Sequence, residues 1–269
     1  MKPIEKRVGK ISMNSQLKPV TNEEMQCNEC PIRKMALFKK VPEDKLSWTQ
    51  DYRSSQLVLP AKSFLYQEGE HHDYVYTLYD GCIKLYKTLQ NGKIQAMRFA
   101  TPGDFLGFQG DLSGPMHHGA QSLTDCVVCA FPRENVSRML CEHPEIASEL
   151  IVKNARVMAF CQEHLLSTGA RSAYDSIAFT LAELDHRLKL LHKFCPDSPA
   201  FKDGDIPITQ EDLADAVGIT PIHANRTLKQ MREEGYITCG KGKITVVNTK
   251  ALREASGFEP HVLDDAQMF

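Results

Sequence analysis

The sequence has no long hydrophobic run. No stretch approaches the roughly 18 consecutive apolar residues of a membrane-spanning helix. The first 18 residues, MKPIEKRVGKISMNSQLK, also lack the apolar core of a signal peptide. These two absences predict a cytoplasmic protein with no membrane partner. The composition excludes little else, because 42% hydrophobic and 25% charged residues are ordinary for a globular protein.

The chain also has little net charge, −2 in formal terms. A nucleic-acid binder with this balance must concentrate its positive charge on one surface. We find no nucleophile–base motif, no phosphate-binding loop and no dinucleotide fingerprint, so we predict that the protein is not an enzyme. Cysteine, in contrast, is present nine times. A disulfide framework is not expected in the cytoplasm, and only Cys27 and Cys30 form a pair at metal-ligand spacing.

Residues from about 55 to 133 have the pattern of short antiparallel strands. Alternating runs such as YVYTLYDG, CIKLYKTL and KIQAMRFA are separated by turn signals. Frequent glycines between these runs are typical of a small antiparallel barrel or jelly roll. Asn91-Gly92 predicts a hairpin with a two-residue loop, because both residues tolerate a positive φ.

Two helical stretches follow. PEIASELIVKNARVMAFCQEHLLST has apolar or small residues every three or four positions, namely Ile151, Ala155, Met158, Cys161 or Gln162, and Leu165. Such a stripe can pack on its own domain or against a second copy of the same helix, and we favour the second, which makes a homodimer. A second helix over about 171–192 has an apolar stripe of Ile177, Leu181, Leu184, Leu188 and Leu191.

The segment ITQEDLADAVGITPIHANRTLKQMREEGYI, residues 208 to 237, has the pattern of a helix, a tight turn and a second helix. Thr209 with Asp212 resembles a capping box at the start of the first helix. Gly218 supplies a left-handed residue that ends it, and Thr220 followed by Pro221 starts the second helix.

The second of these helices has one apolar face and one polar face. Ala224, Leu228 and Met231 should point inward. The candidate DNA-reading residues on and beside the other face are Ile222, His223, Asn225, Arg226 and Lys229. The next run, YITCGKGKITVV, predicts a β-hairpin wing whose Lys241 and Lys243 could neutralise phosphates. An ordinary helical hairpin with a solvated charged face is the alternative, but the wing and the cap-plus-proline start favour DNA binding.

At this point the chain resembles the CRP/FNR family of bacterial transcription regulators over roughly residues 24 to 253. The resemblance rests on PGDFLGFQ (102–109), VVCAFPRENV (127–136), QEDLADAVGIT (210–220) and NRTLKQMREEGYI (225–237). It implies an α+β protein with an N-terminal antiparallel β-roll (a cyclic-nucleotide-binding-like jelly roll), a long dimerisation helix and a C-terminal winged helix-turn-helix. It also implies a homodimer that binds a palindromic operator in double-stranded DNA and contacts RNA polymerase.

Five segments follow from this resemblance and from the patterns above. We predict a flexible N-terminal arm (1–22), a β-roll sensor domain (23–141), a dimerisation helix (142–169), a winged helix-turn-helix domain (170–256) and a C-terminal tail (257–269).

The DNA-reading face departs from the family pattern. Ile222 stands where many FNR-like members carry glutamate, and Asn225 stands where they carry serine, whereas Arg226 matches. Isoleucine offers only apolar contact, for example to a thymine methyl group, so the usual FNR half-site is not expected. We expect Arg226 to contact guanine and Asn225 to contact an adenine edge.

Cyclic AMP, the best-known ligand of the family, is not expected. Family members that bind it carry Gly-Glu and then an Arg-Ser or Arg-Thr pair, where this chain has Gly107-Phe108-Gln109 and HHGAQS. Between Arg98 and Arg133 the only conceivable cations are His117 and His118, which are largely neutral at pH 7.

The resemblance also implies an iron–sulfur cluster, possibly [4Fe–4S], because FNR-like oxygen sensors hold one with N-terminal cysteines and one cysteine of the β-roll. Cys27, Cys30 and Cys129 match these metal ligands, but Ala36 stands where the third N-terminal cysteine is expected. Cys126 should point to the opposite face of its strand. A carboxylate, a histidine or a small thiol could complete the set. Two alternatives stay open: a redox-reactive dithiol or zinc site, and purely structural cysteines in a regulator controlled by another ligand or by none.

Overall fold

The computed structural model describes residues 16–20, 25–42, 46, 48–196, 201, 204–240 and 242–260. These residues form a β-roll, two long helices and a winged helix-turn-helix, which confirms the α+β architecture. No described helix is both long and apolar enough to cross a membrane.

Within the described residues, nine strands form the β-roll. They are β1 (Lys18–Pro19), β2 (Ser55–Leu59), β3 (Phe64–Tyr66), β4 (Tyr74–Asp80), β5 (Ile83–Thr88), β6 (Ile94–Ala100), β7 (Phe105–Leu106), β8 (Gly119–Ser122) and β9 (Cys126–Pro132). One antiparallel sheet has the order β1-β2-β9-β4-β7, and the other has the order β3-β8-β5-β6. Apolar side chains from both sheets, including Leu59, Leu78, Ile83 and Val128, are fully buried between them.

The hairpin between β5 and β6 differs from its prediction. The Leu89 N–H donates to the Lys93 carbonyl (2.8 Å), so the loop has three residues, not two. Among these residues only Gly92 has a positive φ, of 80°, whereas Asn91 does not. The two-residue prediction was wrong because Asn-Gly also suits a three-residue loop with glycine in the left-handed position.

Part of the segment predicted as a flexible arm forms a strand. Lys18 pairs with Val58 and Pro19 pairs with Leu57, so β1 adds an edge strand to the first sheet. Leu17 is buried in the β-roll core and anchors this short strand. The sequence did not indicate the strand, because the residues around Leu17 are mostly polar. Residues 1–15 lie outside the described residues, as do residues 261–269 of the predicted tail.

In the described part of the chain, the helices that follow or flank these strands are α1 (Thr49–Tyr52), α2 (Arg133–Glu142), α3 (Pro144–Gly169) and α4 (Ala173–Phe194). A 3-10 helix, Arg33–Met35, lies in the N-terminal segment. Helix α3 begins with Pro144 at its first turn, a position where proline lacks only an N–H that would be unbonded anyway. The predicted apolar stripe of α4 is buried, as expected.

The C-terminal unit contains β10 (Asp205–Ile206), α5 (Gln210–Val217), α6 (Pro221–Glu233), β11 (Ile237–Gly240), β12 (Lys243–Val246) and α7 (Thr249–Ser256). Its three strands form a small sheet in the order β10-β12-β11. Ala96 and Phe99 of β6 belong to the same hydrophobic core as Leu213 of α5 and Leu228 of α6. The helix-turn-helix therefore packs directly on the β-roll of its own chain.

Candidate nucleic-acid interface and cysteine pocket

Local capping interactions define both helices of the helix-turn-helix. The Thr209 side chain accepts from the Asp212 N–H, and the Asp212 carboxylate accepts from the Thr209 N–H, so the predicted capping box is present. Gly218 ends α5 with a φ of 76°. The Thr220 side chain then accepts from the N–H of His223 and caps α6. These interactions fix the turn between α5 and α6 and thereby the direction in which α6 projects.

Helix α6 presents its polar face to solvent. Ala224 and Met231 are completely buried on the opposite side, whereas 70% of Ile222 is exposed. The other predicted DNA-reading side chains, His223, Asn225, Arg226 and Lys229, are exposed as well. Among the described residues the Arg226 guanidinium has no ion-pair partner, and the Lys229–Glu233 pair is long (3.7 Å) and exposed. Donors on this face are therefore available to a ligand.

A groove of about 310 Å³ lies between α6 and the wing of β11 and β12. Asn225 and Lys243 line it from the two sides, and Arg232 adds a cation that we did not select from the sequence. Arg232 lies three residues after Lys229, and this helical spacing is the signal that could have identified it. The Lys243 ammonium lies 3.4 Å from an Asp205 carboxylate and stays half-exposed. Lys241 lies outside the described residues.

The second candidate site is a pocket lined by all three predicted metal-ligating cysteines, Cys27, Cys30 and Cys129. The N-terminal segment supplies the first two and strand β9 the third, so residues far apart in sequence meet here. Ala36 lines the same pocket, at the position where the family pattern expects a cysteine. The remaining wall is mostly apolar, with Ile32, Phe38, Tyr79 and Phe131 among its residues.

Burial keeps two of these thiols protonated. Desolvation raises the pKa of Cys30 to about 12, and the neighbouring thiols Cys129, Cys27 and Cys195 add to the rise. Desolvation likewise raises the pKa of Cys129 to about 11, although the nearby Arg53 guanidinium opposes this shift. Neither thiol is therefore a ready nucleophile at neutral pH.

The donor set fits an iron–sulfur cluster only in part. Three thiols line the pocket, whereas such clusters usually take four thiolates. In the described part of the chain, no three His, Cys, Asp or Glu side chains are close enough together to hold a metal ion. Cys126 does not contribute: its side chain lies in the β-roll core, where its thiol donates to the Cys82 carbonyl (3.4 Å). Of the described residues, Cys27, Cys30 and Cys129 are those that would hold a cluster, and the fourth ligand is not among the side chains that line the pocket.

The loop that follows Gly107 has no lysine or arginine of its own before Arg133, but the structure brings a cation to it. The Arg133 guanidinium, at the start of α2, donates to the carbonyls of Gly107 (2.6 Å) and Leu112 (3.0 Å). Desolvation lowers the pKa of His118 to about 4, and its ring is hydrogen-bonded to the Tyr66 hydroxyl (3.0 Å). The Arg133 guanidinium is thus already hydrogen-bonded to the loop, and the His118 ring is neutral at pH 7. The absence of a cyclic nucleotide stays a prediction.

Comparisons with known proteins match both units of the chain. Residues 56–143 match the model of the cyclic nucleotide-binding domain, and residues 177–255 match that of the Crp-like helix-turn-helix domain. The transcriptional activatory protein AadR of Rhodopseudomonas palustris is 30% identical over 189 residues, which is 70% of this chain and 76% of that protein. The nitrogen fixation regulation protein FixK of Bradyrhizobium diazoefficiens is 26% identical, over 82% of this chain and 90% of its own.

Two further comparisons agree. The transcriptional activator protein FnrL of Cereibacter sphaeroides is 26% identical over 86% of this chain and 92% of its own length. The solved structure of FixK2 from Bradyrhizobium japonicum superposes with a TM-score of 0.64 at 22% identity and covers 75% of this chain and 96% of that one. All of these relatives are named as regulatory proteins, and neither family model describes an enzyme.

Proposed function

Because this chain belongs to the CRP/FNR family of bacterial transcription regulators, we propose that it acts in the cytoplasm as a homodimer on a palindromic operator. In this proposal it contacts RNA polymerase at the promoter, and the cysteine pocket sets its activity in response to oxygen or redox state. The observation that carries the DNA-binding part is the orientation of α6. Its apolar side is buried in the protein core, while Ile222, Asn225 and Arg226 face solvent.

Helix α3 supports the homodimer. Ile151, Met158 and Leu165, spaced by seven residues, are 69%, 61% and 73% exposed in the single chain. Large apolar side chains at heptad spacing on one exposed face are typical of the seam of a two-stranded coiled coil, and we call this face the apolar seam. Pairing two copies of α3 would bury this seam and set the two recognition helices at a fixed separation, which a palindromic operator requires to be about 34 Å.

The DNA-binding part is tested by the salt dependence of binding to random duplex DNA, measured by fluorescence anisotropy. We expect the logarithm of the association constant to fall linearly with the logarithm of salt concentration, because lysine and arginine displace counterions from phosphates. A protein that does not bind DNA would show no such binding at low salt.

The cysteine pocket is mechanically connected to the proposed dimer helix. The Lys153 ammonium of α3 donates to the Met35 carbonyl (2.7 Å) in the segment that follows Cys30. One turn earlier on α3, the fully buried Glu149 carboxylate pairs with Lys39 of the same segment (2.9 Å). Both contacts lie on the side of α3 away from the apolar seam. A change in the position of the cysteine segment would therefore act on α3 directly.

We propose that Cys27, Cys30 and Cys129 hold an iron–sulfur cluster whose fourth ligand is a carboxylate, a histidine or a small thiol. A bound cluster would supply a centre that is labile to oxygen and sensitive to redox state. What the chain itself supplies is the pocket, the three thiols and the two contacts from the cysteine segment to α3. The convergence of the three cysteines on one pocket supports this assignment.

A second candidate has an observation in its favour. The thiols of Cys30 and Cys129 have raised pKa values, and no three possible ligands in the described residues are close enough for a metal ion. These observations favour structural cysteines over the reactive dithiol and the zinc site, since protonated thiols react slowly and zinc needs more ligands than the described residues bring together. The regulator would then respond to another small molecule or to none.

Anaerobic purification separates the two candidates. The cluster predicts iron and acid-labile sulfide in the isolated protein, visible absorbance that air bleaches, and operator affinity that changes with the bleaching. Cys129→Ala should lose the iron, whereas Cys141→Ala, at an exposed cysteine of α2, should keep it. Protein without iron or sulfide, and with the same affinity in air, supports the second candidate.

A further inference from the structure

The sensor domain holds the first helix of the helix-turn-helix at both ends. The Lys84 ammonium on β5 forms an ion pair with the Asp212 carboxylate in the first turn of α5, at 2.8 Å. The Gln95 side chain on β6 donates to the Ala216 carbonyl near the last residue of α5, at 2.9 Å. We call these two interactions the α5 clamp.

The ion pair of the clamp is buried. Lys84 and Asp212 are each only 7% exposed, and Asp215 gives the ammonium a second carboxylate at 3.4 Å. A buried carboxylate that loses its cation keeps the cost of desolvation without compensation, so removing one partner is far more disruptive than removing a surface pair. The other oxygen of Asp212 already serves the capping box with Thr209. The carboxylate that starts α5 therefore also attaches it to the sensor domain.

The second interaction satisfies a group that the helix cannot satisfy itself. The last carbonyls of any α-helix lack intrahelical partners, and Ala216 contributes one of them. The Gln95 amide fills this vacancy from β6, and its oxygen lies near Gly218, the residue at which the chain turns toward α6. The position of the turn is thus set by a side chain of the β-roll.

Helix α6 follows α5 rigidly, since Ala224 and Leu228 share the core with Leu213 and Val217. A continuous connection therefore runs from the β5–β6 hairpin through α5 to the recognition helix. We propose that Lys84 and Gln95 are positioning residues for DNA recognition, which fix the orientation of α6 relative to the sensor domain and so set the half-site spacing that the homodimer accepts. This inference rests on the proposed function, because it assumes a homodimer that binds paired half-sites.

The property that the α5 clamp should control is the spacing between the two half-sites of the operator. Adding one base pair between half-sites rotates one of them by about 35° around the DNA axis, given roughly 10.5 base pairs per turn. A rigid connection cannot follow this rotation, whereas a loosened one can. The base contacts of α6 do not involve the clamp, so the sequence of each half-site should not change.

The test selects binding sequences from a pool of random duplex DNA with the full-length wild type and with Lys84→Met. The matched control is Lys87→Met, which removes the same charge from the same strand but breaks only an exposed ion pair with Glu68 (2.9 Å). Wild type and Lys87→Met should recover paired half-sites with one spacing. Lys84→Met should recover the same half-site sequence with several spacings, and its preference for the original spacing should fall on the order of tenfold.

Two further variants make the result decisive. Lys84→Arg keeps a cation and should restore the single spacing, which ties the effect to the ion pair with Asp212. If Lys84→Met fails to fold by circular dichroism, Gln95→Leu replaces it with the same expected broadening. A folded Lys84→Met or Gln95→Leu protein with the wild-type spacing overturns the inference, and so does higher operator affinity at unchanged spacing, since the clamp would then restrain binding. Wild-type protein that recovers no paired half-sites contradicts the proposed function instead.

Discussion

Replacing Met158 by glutamate should dissociate the homodimer. Met158 lies in the middle of the apolar seam of α3 and is 61% exposed in the single chain. Burying a methionine completely contributes about 1.5–3 kcal/mol, so burying the exposed part contributes about 1–2 kcal/mol for each copy. Both copies take part in a symmetric dimer, and the loss is therefore about 2–4 kcal/mol, or roughly 30- to 1000-fold in the dissociation constant. Two glutamates facing each other across the seam add repulsion to this loss.

Sedimentation velocity over a range of protein concentrations measures the dissociation constant directly. Leu89→Glu is a suitable control, because it places the same charge on another exposed apolar residue, at the tip of the β5–β6 hairpin. We expect Leu89→Glu to remain dimeric at concentrations where Met158→Glu is monomeric. Equal dissociation constants for Met158→Glu and wild type would refute the assignment of the α3 seam to the dimer interface.

Three other predictions concern single side chains. Cys161 is exposed on the seam side of α3, so mild oxidation should link two chains through a disulfide. A non-reducing gel should show this covalent dimer for the wild type and not for Cys161→Ser. A monomer for both proteins would argue against a parallel α3 pair. The pKa of His118 is lowered to about 4, so the unfolded chain binds its proton first, and the free energy of unfolding should decline as the pH falls from about 6.5 to about 4. Denaturant titrations should show a weaker decline for His118→Gln, and an equal decline would contradict the burial of a neutral ring. Gly103→Ala should lower the melting temperature more than Gly92→Ala. Both glycines have a positive φ, but only a Cβ at Gly103 would meet the Met35 carbonyl oxygen, at 2.7 Å. Equal losses in melting temperature would contradict that contact.

The helix-turn-helix could be predicted from the sequence because its signals are local. Thr209, Asp212, Gly218 and Thr220 act within three or four residues of their own positions, and each has the capping role or conformation that the pattern indicates. The heptad spacing of α3 is local in the same sense. The prediction that Cys27, Cys30 and Cys129 meet at one site depended on the family resemblance and not on their spacing alone, and the structure places all three in one pocket.

Features that depend on distant neighbours could not be predicted in this way. Nothing in the sequence near Lys84 indicates that its ammonium meets Asp212, 128 residues later. Arg133 likewise reaches the loop at Gly107 only because the β-roll brings β9 and that loop together. The predicted loop length at Asn91-Gly92 was wrong for a different reason, since the same dipeptide is compatible with loops of two and of three residues.

Protection of guanine N7 from dimethyl sulfate tests the central claim most directly, since N7 lies in the major groove where α6 must lie. On a selected operator, the wild-type protein should protect at least one guanine in each half-site. Arg226→Ala should lose protection at one guanine per half-site, symmetrically, with about 1–3 kcal/mol less discrimination at that base pair. Identical protection by wild type and Arg226→Ala, or protection confined to one half-site, would contradict the claim that the exposed face of α6 reads DNA in a symmetric dimer.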